Sequence, residues 1–168
     1  IRISVRNLVE FVMRNGDLDN RRTAGAKKEA MQAGSRLHRK IQRRMGSDYR
    51  SEVMLKHRVR EDMFEILVEG RADGIITEPA GTVIDEIKCI YMDVDRLEEP
   101  DPLAQALCYG YFYSHDHDLD TIGIQITYCN IETEEIRRFR EERSFENLTQ
   151  WFQGLIHEYV KWARYLYH

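Results

Sequence analysis

The hydrophobic period of this chain changes twice, and that change restricts the fold more than any single residue does. Residues 26–45 carry Ala30, Ala33, Leu37, Ile41 and Met45 at spacings of three and four, which predicts a long amphipathic helix ended by Gly46. From there to residue 91 the period falls to two. Within 52–60, Val53, Leu55, His57 and Val59 share one face, and Glu52, Met54, Lys56, Arg58 and Arg60 share the other. Residues 64–76 read as a second strand with Gly70 inside it and Pro79-Ala80-Gly81 after it; residues 83–91 read as a third. The short connections predict an antiparallel meander. Helical spacing returns over 102–113, where Pro102 suits a first helical turn. Ile122, Ile124 and Ile126 then alternate in a buried strand over 121–129, with 135–142 as a candidate hairpin partner. Ser144 begins a final helix whose apolar stripe is Phe145, Leu148, Phe152, Leu155, Ile156, Tyr159 and Trp162. Before all of these, residues 4–14 predict a short amphipathic helix stopped by Gly16, and residues 15–25 a polar loop. The whole order predicts an α/β (α+β) domain, a mixed sheet built from the meander plus further strands and flanked by helices.

A length of 168 residues suits one domain spanning 1–168. A hydrophobic content of 42% with 32% charged residues is that of a soluble globular domain, and no apolar run approaches the ~20 residues of a membrane span. No secretory leader is visible. The cysteines are Cys89, Cys108 and Cys129, isolated and odd in number. Such a set argues against a disulfide framework or a zinc knuckle and fits a reducing cytoplasm. The first residue is Ile1 rather than Met, so a chain processed, trimmed or cut from something longer is expected. The net charge of -4 excludes a uniformly basic nucleic-acid binder. Residues 36–44, however, read Arg-Leu-His-Arg-Lys-Ile-Gln-Arg-Arg without an acid, which is either a local basic face or a solvated helix face.

Four short pieces carry the chemistry. Glu86-Ile87-Lys88 lies on the third strand, where i and i+2 project to one side; Glu86 and Lys88 therefore point together, and Asp85 and Ile87 point the other way. A carboxylate beside an ammonium can bind a hard cation and position a water. Alone, the tripeptide is far more often a surface ion pair. Asp73, in Gly70-Arg71-Ala72-Asp73-Gly74, sits on the preceding strand and is expected near Glu86; two such carboxylates repel unless a cation lies between them. The alternative is a turn aspartate before glycine, which the strand character of Ile75, Ile76 and Thr77 disfavours. His38 follows Gly34 by one turn on the long helix, amid Arg36, Arg39, Lys40, Arg43 and Arg44. Gly34 leaves room for close approach, and the cations suit phosphate better than a core, although a lone helix histidine is usually partly buried and satisfied. Gln105 and Tyr109, at i and i+4, share a helix face and offer neutral hydrogen-bonding groups; the ordinary alternative is a surface glutamine and a core tyrosine. Glu52 can join the site, and Glu69 is an uncertain neighbour. Residues 114–118, Ser-His-Asp-His-Asp, read as a solvated turn rather than a ligand set, and Trp151 and Trp162 as core.

Taken in order, these pieces resemble the PD-(D/E)XK nuclease superfamily, and within it the RecB-like group, whose members share a helix histidine, a strand Asp, a (D/E)-x-K and a downstream Q-x3-Y. The resemblance implies a restriction-endonuclease-like fold and a divalent-metal-dependent deoxyribonuclease acting on phosphodiester bonds. Carried over residue by residue, it implies that His38, Asp73, Glu86 and the backbone carbonyl of Ile87 bind Mg2+ or Mn2+. Lys88 would be the catalytic lysine, with Asp73 and Glu86 also catalytic, and Gln105 and Tyr109 would hold phosphate. Arg36, Arg39, Arg43 and Arg71 are candidate contacts to the DNA backbone. More narrowly, the opening residues 3–12 and the stretch 30–46 resemble the N-terminal nuclease module of bacterial DinG/XPD-like helicases. This implies an exonuclease of DNA repair or recombination with a helicase domain elsewhere in the full-length chain. No Walker lysine motif is present, so that helicase lies outside this sequence. Nothing resembling the upstream cysteine and C-terminal cysteine trio of some RecB-like nucleases occurs, so no iron–sulfur cluster is expected. The rival reading is a non-cleaving clamp that holds DNA for a helicase, for which the Glu86-x-Lys88 pair would be superfluous.

Overall fold

Residues 1–13, 24–91 and 102–167 are described in the computed structural model of the chain. Strands β1 (Arg2–Ser4), β2 (Tyr49–Glu61), β3 (Phe64–Glu78), β4 (Gly81–Ile90), β5 (Thr121–Asn130) and β6 (Ile136–Ser144) form a single mixed sheet. The helices are α1 (Val5–Met13), α2 (Ala24–Arg44), α3 (Leu103–His117) and α4 (Phe145–Tyr167). The alternating segments pair as the antiparallel meander β2–β3–β4, β5 runs parallel to β4, and β6 returns antiparallel on β5. Three hairpins account for the antiparallel ladders, and the parallel step from β4 to β5 needs the crossover that α3 supplies. This is the restriction-endonuclease-like arrangement.

Helices α1, α3 and α4 cover one face. Val5 and Leu8 of α1, Leu107 and Phe112 of α3, and Leu148, Phe152 and Ile156 of α4 bury against Ile66, Val68, Ile84 and Ile124 of the sheet. Gly110 lets α3 approach β5, since a Cβ there would lie 2.6 Å from the Ile124 Cδ1. Helix α2 covers part of the opposite face, with Leu37 and Ile41 packed on Ile87 and Cys129. The two helical layers thus hold β4 between them, one on the Ile84 side and one on the Ile87 side.

Several sequence expectations need correction. The strand β1 is missed because three residues are too few to show a period; it pairs in parallel with β3 beside α1. Helix α3 does not stop at residue 113. Ser114, His115, Asp116 and His117 form its last turn, and Asp118 caps it in the left-handed conformation at φ 53. That turn is held by packing: Ser114 is buried, and the His115 ring lies 4.8 Å from that of His57. His57 stacks on Phe112, and burial, followed by the neighbouring His115, holds its pKa below the ordinary value. Trp162 is 41% exposed rather than core, touching Phe11 edge-on at 6.5 Å between ring centroids; Trp151 is partly buried against the core. Ala24 and Gly25 belong to α2 rather than to a loop, and the remainder of the expected loop, with Gly16, lies outside the described residues. Among the described residues, no helix is long and apolar enough to cross a membrane.

Candidate metal centre

Strand β3 is longer than its neighbours, and the site forms where they leave it. One edge of β3 is paired along its length with β2. The other edge is shared: β1 takes residues 67–69, and β4 takes residues 74–78. Residues 70–73 lie between these ladders. The β3–β4 ladder ends at Gly74–Asp85, so β4 leaves β3 just as Glu86 begins. Asp73 fills the resulting fork, its Oδ2 accepting a hydrogen bond of 2.7 Å from the Ile87 backbone N–H. The Asp73 carboxylate thus stands between the two strands, next to the Glu86-Ile87-Lys88 segment.

A second irregularity lies at the carboxylates that face α2. In β2, Val53 and Leu55 join the main core, yet Tyr49, of the same parity, packs on the opposite face with Ile76 and Val83. In β3, Ile66, Val68 and Ala72 join the main core, but so does Ile75, three residues after Ala72. Both strands therefore slip one position in their alternation. The slip is centred on Glu52 and Asp73, which the register sets opposite each other between the Ser51–Gly74 and Val53–Ala72 pairs. Glu52 carries it in its backbone, with φ 55, a conformation that costs an L-residue roughly 1–2 kcal/mol. At this point a cluster forms: ligand atoms of His38, Glu52 and Asp73 all lie within 4.8 Å of one another.

The electrostatics of the cluster are those of a site with too much negative charge for its burial. Glu86 is buried, and its pKa is raised well above the ordinary carboxylate value, first by burial and then by the charge and hydrogen bonding of Asp73, with Asp85 and Glu52 adding to it. Its Oε2 is a buried acceptor without a hydrogen bond. His38 Nε2 lies 3.2 Å from Asp73 Oδ1 but is not aligned as a hydrogen bond, and is likewise a buried atom without one. The adjacent Asp73 carboxylate raises the His38 pKa against the opposing effect of burial. Orphaned polar atoms on a buried carboxylate and an imidazole, converging on a shared aspartate, fit a divalent cation.

The remaining expected residues fall into place unevenly. Lys88 shares the Glu86 face by strand parity and is exposed; Ile87 turns its side chain under α2. Tyr109 is only 4% exposed, so it is a core side chain as the ordinary alternative has it, but its hydroxyl stands over the unpaired stretch of β3. A Cβ at Gly70 would lie 2.5 Å from that hydroxyl, which is why glycine is needed there. Burial, then the negative charges of Glu86 and Asp73, push the Tyr109 pKa up. Gln105, one turn earlier, is half-buried. Arg36, Arg39 and Arg43 are exposed on α2, whereas Lys40 is taken up by an ion pair of 2.7 Å with Glu134. Arg71 is exposed and paired in register with Met54, on the far edge of β3 from β4. The room left by Gly34 is used for packing on β4, its Cβ position lying 3.6 Å from the Cys89 Cβ.

Asp85 faces away from Glu86, as strand parity predicts, and builds a network that sequence reading missed. It is 1% exposed and accepts hydrogen bonds from Tyr49 Oη at 2.8 Å, Gln125 Nε2 at 3.1 Å and Thr127 Oγ1 at 2.6 Å. Tyr49 reaches it by lying across Gly74, where a Cβ would collide with the ring. Arg140 supports the far side by donating to Gln125 Oε1 at 2.9 Å. The network ties β2, β4, β5 and β6 together behind the fork. Asp85→Ala is therefore expected to lower stability by about 3–5 kcal/mol, because three buried donors lose their acceptor at once. Thermal denaturation should show a melting point roughly 10 °C lower, with Asp85→Asn falling between this variant and the parent.

No family model matches this chain, and no curated protein matches it. Among solved structures it is similar to SSO0001, with a TM-score of 0.58 and 18% identity over 93% of this chain and 75% of that one. It is also similar to a phage-related exonuclease from Haemophilus somnus 129PT, at TM-score 0.44 and 12% identity over 96% and 83% of the two chains. A third is an alkaline exonuclease from Laribacter hongkongensis, at TM-score 0.41 and 14% identity over 97% and 86%. At these identities the likeness shows fold alone, and the SSO0001 match is the one that carries it.

Proposed function

We propose that this chain is a divalent-metal-dependent deoxyribonuclease, an exonuclease module of a cytoplasmic DNA repair or recombination helicase. The observation that carries the reading is the convergence of His38, Glu52 and Asp73 within 4.8 Å, with the buried carboxylate of Glu86 beside Asp73. His38, Asp73, Glu86 and the Ile87 carbonyl would hold the cation, with Glu52 at the same cluster. Bound there, Mg2+ or Mn2+ would supply Lewis acidity toward a phosphoryl oxygen and lower the pKa of water.

The chain's own residues then have separable tasks. Lys88, the ammonium at the mouth of the fork, orients the attacking water and offsets charge that builds on the phosphoryl oxygens. Gln105 and Tyr109 donate hydrogen bonds to the phosphate or to the backbone beside it. Arg36, Arg39, Arg43 and Arg71 hold flanking phosphates, a contribution that weakens as salt rises. An overall charge of -4 leaves the guiding field to this local face of α2.

The test is cleavage of single- and double-stranded DNA labelled at the 5' or 3' end, with Mg2+, Mn2+ or EDTA. Stepwise shortening that requires metal is expected, and the labels report its polarity. DNA binding without cleavage under every metal condition would overturn the enzymatic reading in favour of a non-cleaving clamp.

A further inference from the structure

We propose that Gln42 is a positioning residue of the metal centre, holding the Glu52 carboxylate against His38 and Asp73. Gln42 sits one turn beyond His38 on α2, at i+4, so both side chains leave the same helix face. Its Nε2 donates to Glu52 Oε1 at 2.9 Å and to the Asp73 backbone carbonyl at 2.9 Å. A primary amide nitrogen has two protons, and here both are committed.

The two acceptors are the members of the register pair at which β2 and β3 slip. The ladder passes from Ser51–Gly74 to Val53–Ala72, and the Asp73 carbonyl between them finds its donor in Gln42. Glu52 has to hold a left-handed backbone without being glycine, and such conformations persist only where the surroundings over-determine them. Gln42 is the side chain that does so from α2. The cluster draws on three elements: α2 for His38, β2 for Glu52 and β3 for Asp73. Gln42 rides on the first and grips the other two. It therefore fixes the spacing of the set rather than touching the reacting atoms, in the way that groups behind a metal ligand set its orientation and affinity.

This inference rests on the metal-centre reading, so the experiment separates the two. Mn2+ binding is measured by titration calorimetry on the parent chain, Gln42→Met, Glu52→Gln and the double variant, with melting points recorded in EDTA. Gln42→Met keeps the length of the side chain and removes both donors; Gln42→Asn, too short to reach both acceptors, serves if Gln42→Met fails to fold. Gln42→Met is expected to weaken Mn2+ binding about tenfold in the parent, but less than about threefold when Glu52 is already glutamine, since neighbours that act through each other are not additive. An equal loss in both backgrounds, or none in either, overturns the role of Gln42. A parent chain that binds no Mn2+ overturns the metal centre itself.

Discussion

Lys88→Ala is expected to reduce metal-dependent cleavage by a factor of about 10³ or more while leaving the fold and Mn2+ binding largely intact. The size follows from the task assigned to the residue. A single group that orients water or stabilises developing charge at the reacting centre is worth roughly 10²–10⁴ in rate. The selectivity follows from its setting. Lys88 is exposed, so truncating it leaves no buried donor or acceptor unpaired, and surface changes of this kind move stability by only about 0.5 kcal/mol. Its neighbours behave in the opposite way: Ile87 is packed under Leu37 and Ile41 of α2, and Glu86 is buried. Circular dichroism, Mn2+ calorimetry and single-turnover cleavage on one preparation check all three statements. Unimpaired cleavage by Lys88→Ala would remove it from the mechanism, whatever happens to metal binding. Lys88→Arg should also be slow, because the strand fixes where the ammonium stands and a guanidinium is longer and planar.

The architecture was legible wherever a period ran long enough to count. Val53, Leu55, His57 and Val59 do turn inward, with Leu55 buried, and Ile122, Ile124 and Ile126 do line a buried strand. Strand parity also separated Asp85 from Glu86, and the structure puts Asp85 in its own network on the other side. What the pattern could not show is where parity breaks. Glu52 reads as an outward residue in an alternating strand, and the alternation shows neither the slip it shares with Asp73 nor that His38 stands over that face. A break in alternation depends on two strands at once and on the helix packed over them, so no local window contains it. The same holds for Gln42, an unremarked polar residue in a basic helix whose two acceptors lie on different strands. His38 carried a visible motif; the residue that sets its neighbours did not. The last turn of α3 was misread for a related reason. Ser114, His115, Asp116 and His117 have turn composition, and tertiary contact with His57 keeps them helical.

Glu86→Gln should change the sign of its effect on stability with the metal. In EDTA the variant is expected to melt higher than the parent, by about 1–2 kcal/mol or roughly 3–6 °C. The substitution keeps shape and volume, and it removes a carboxyl group that burial and the nearby Asp73, Asp85 and Glu52 oppose charging. Little is lost in exchange, because Glu86 Oε2 accepts no hydrogen bond in the fold. With Mn2+ the order reverses. A chain that binds metal only when folded gains about 2.7 kcal/mol at a hundredfold excess over Kd, and a variant lacking a charged ligand loses most of that gain. Asp73→Asn makes the necessary contrast. It too should weaken Mn2+ binding, but Asp73 accepts the Ile87 N–H inside the fork, so its replacement brings no comparable rise in EDTA. Carboxylates held for structural reasons lower stability on removal in both conditions. A Glu86→Gln chain that melts lower in EDTA and keeps the full Mn2+ increment would therefore mark Glu86 as a structural acceptor, and the metal would have to be held without it.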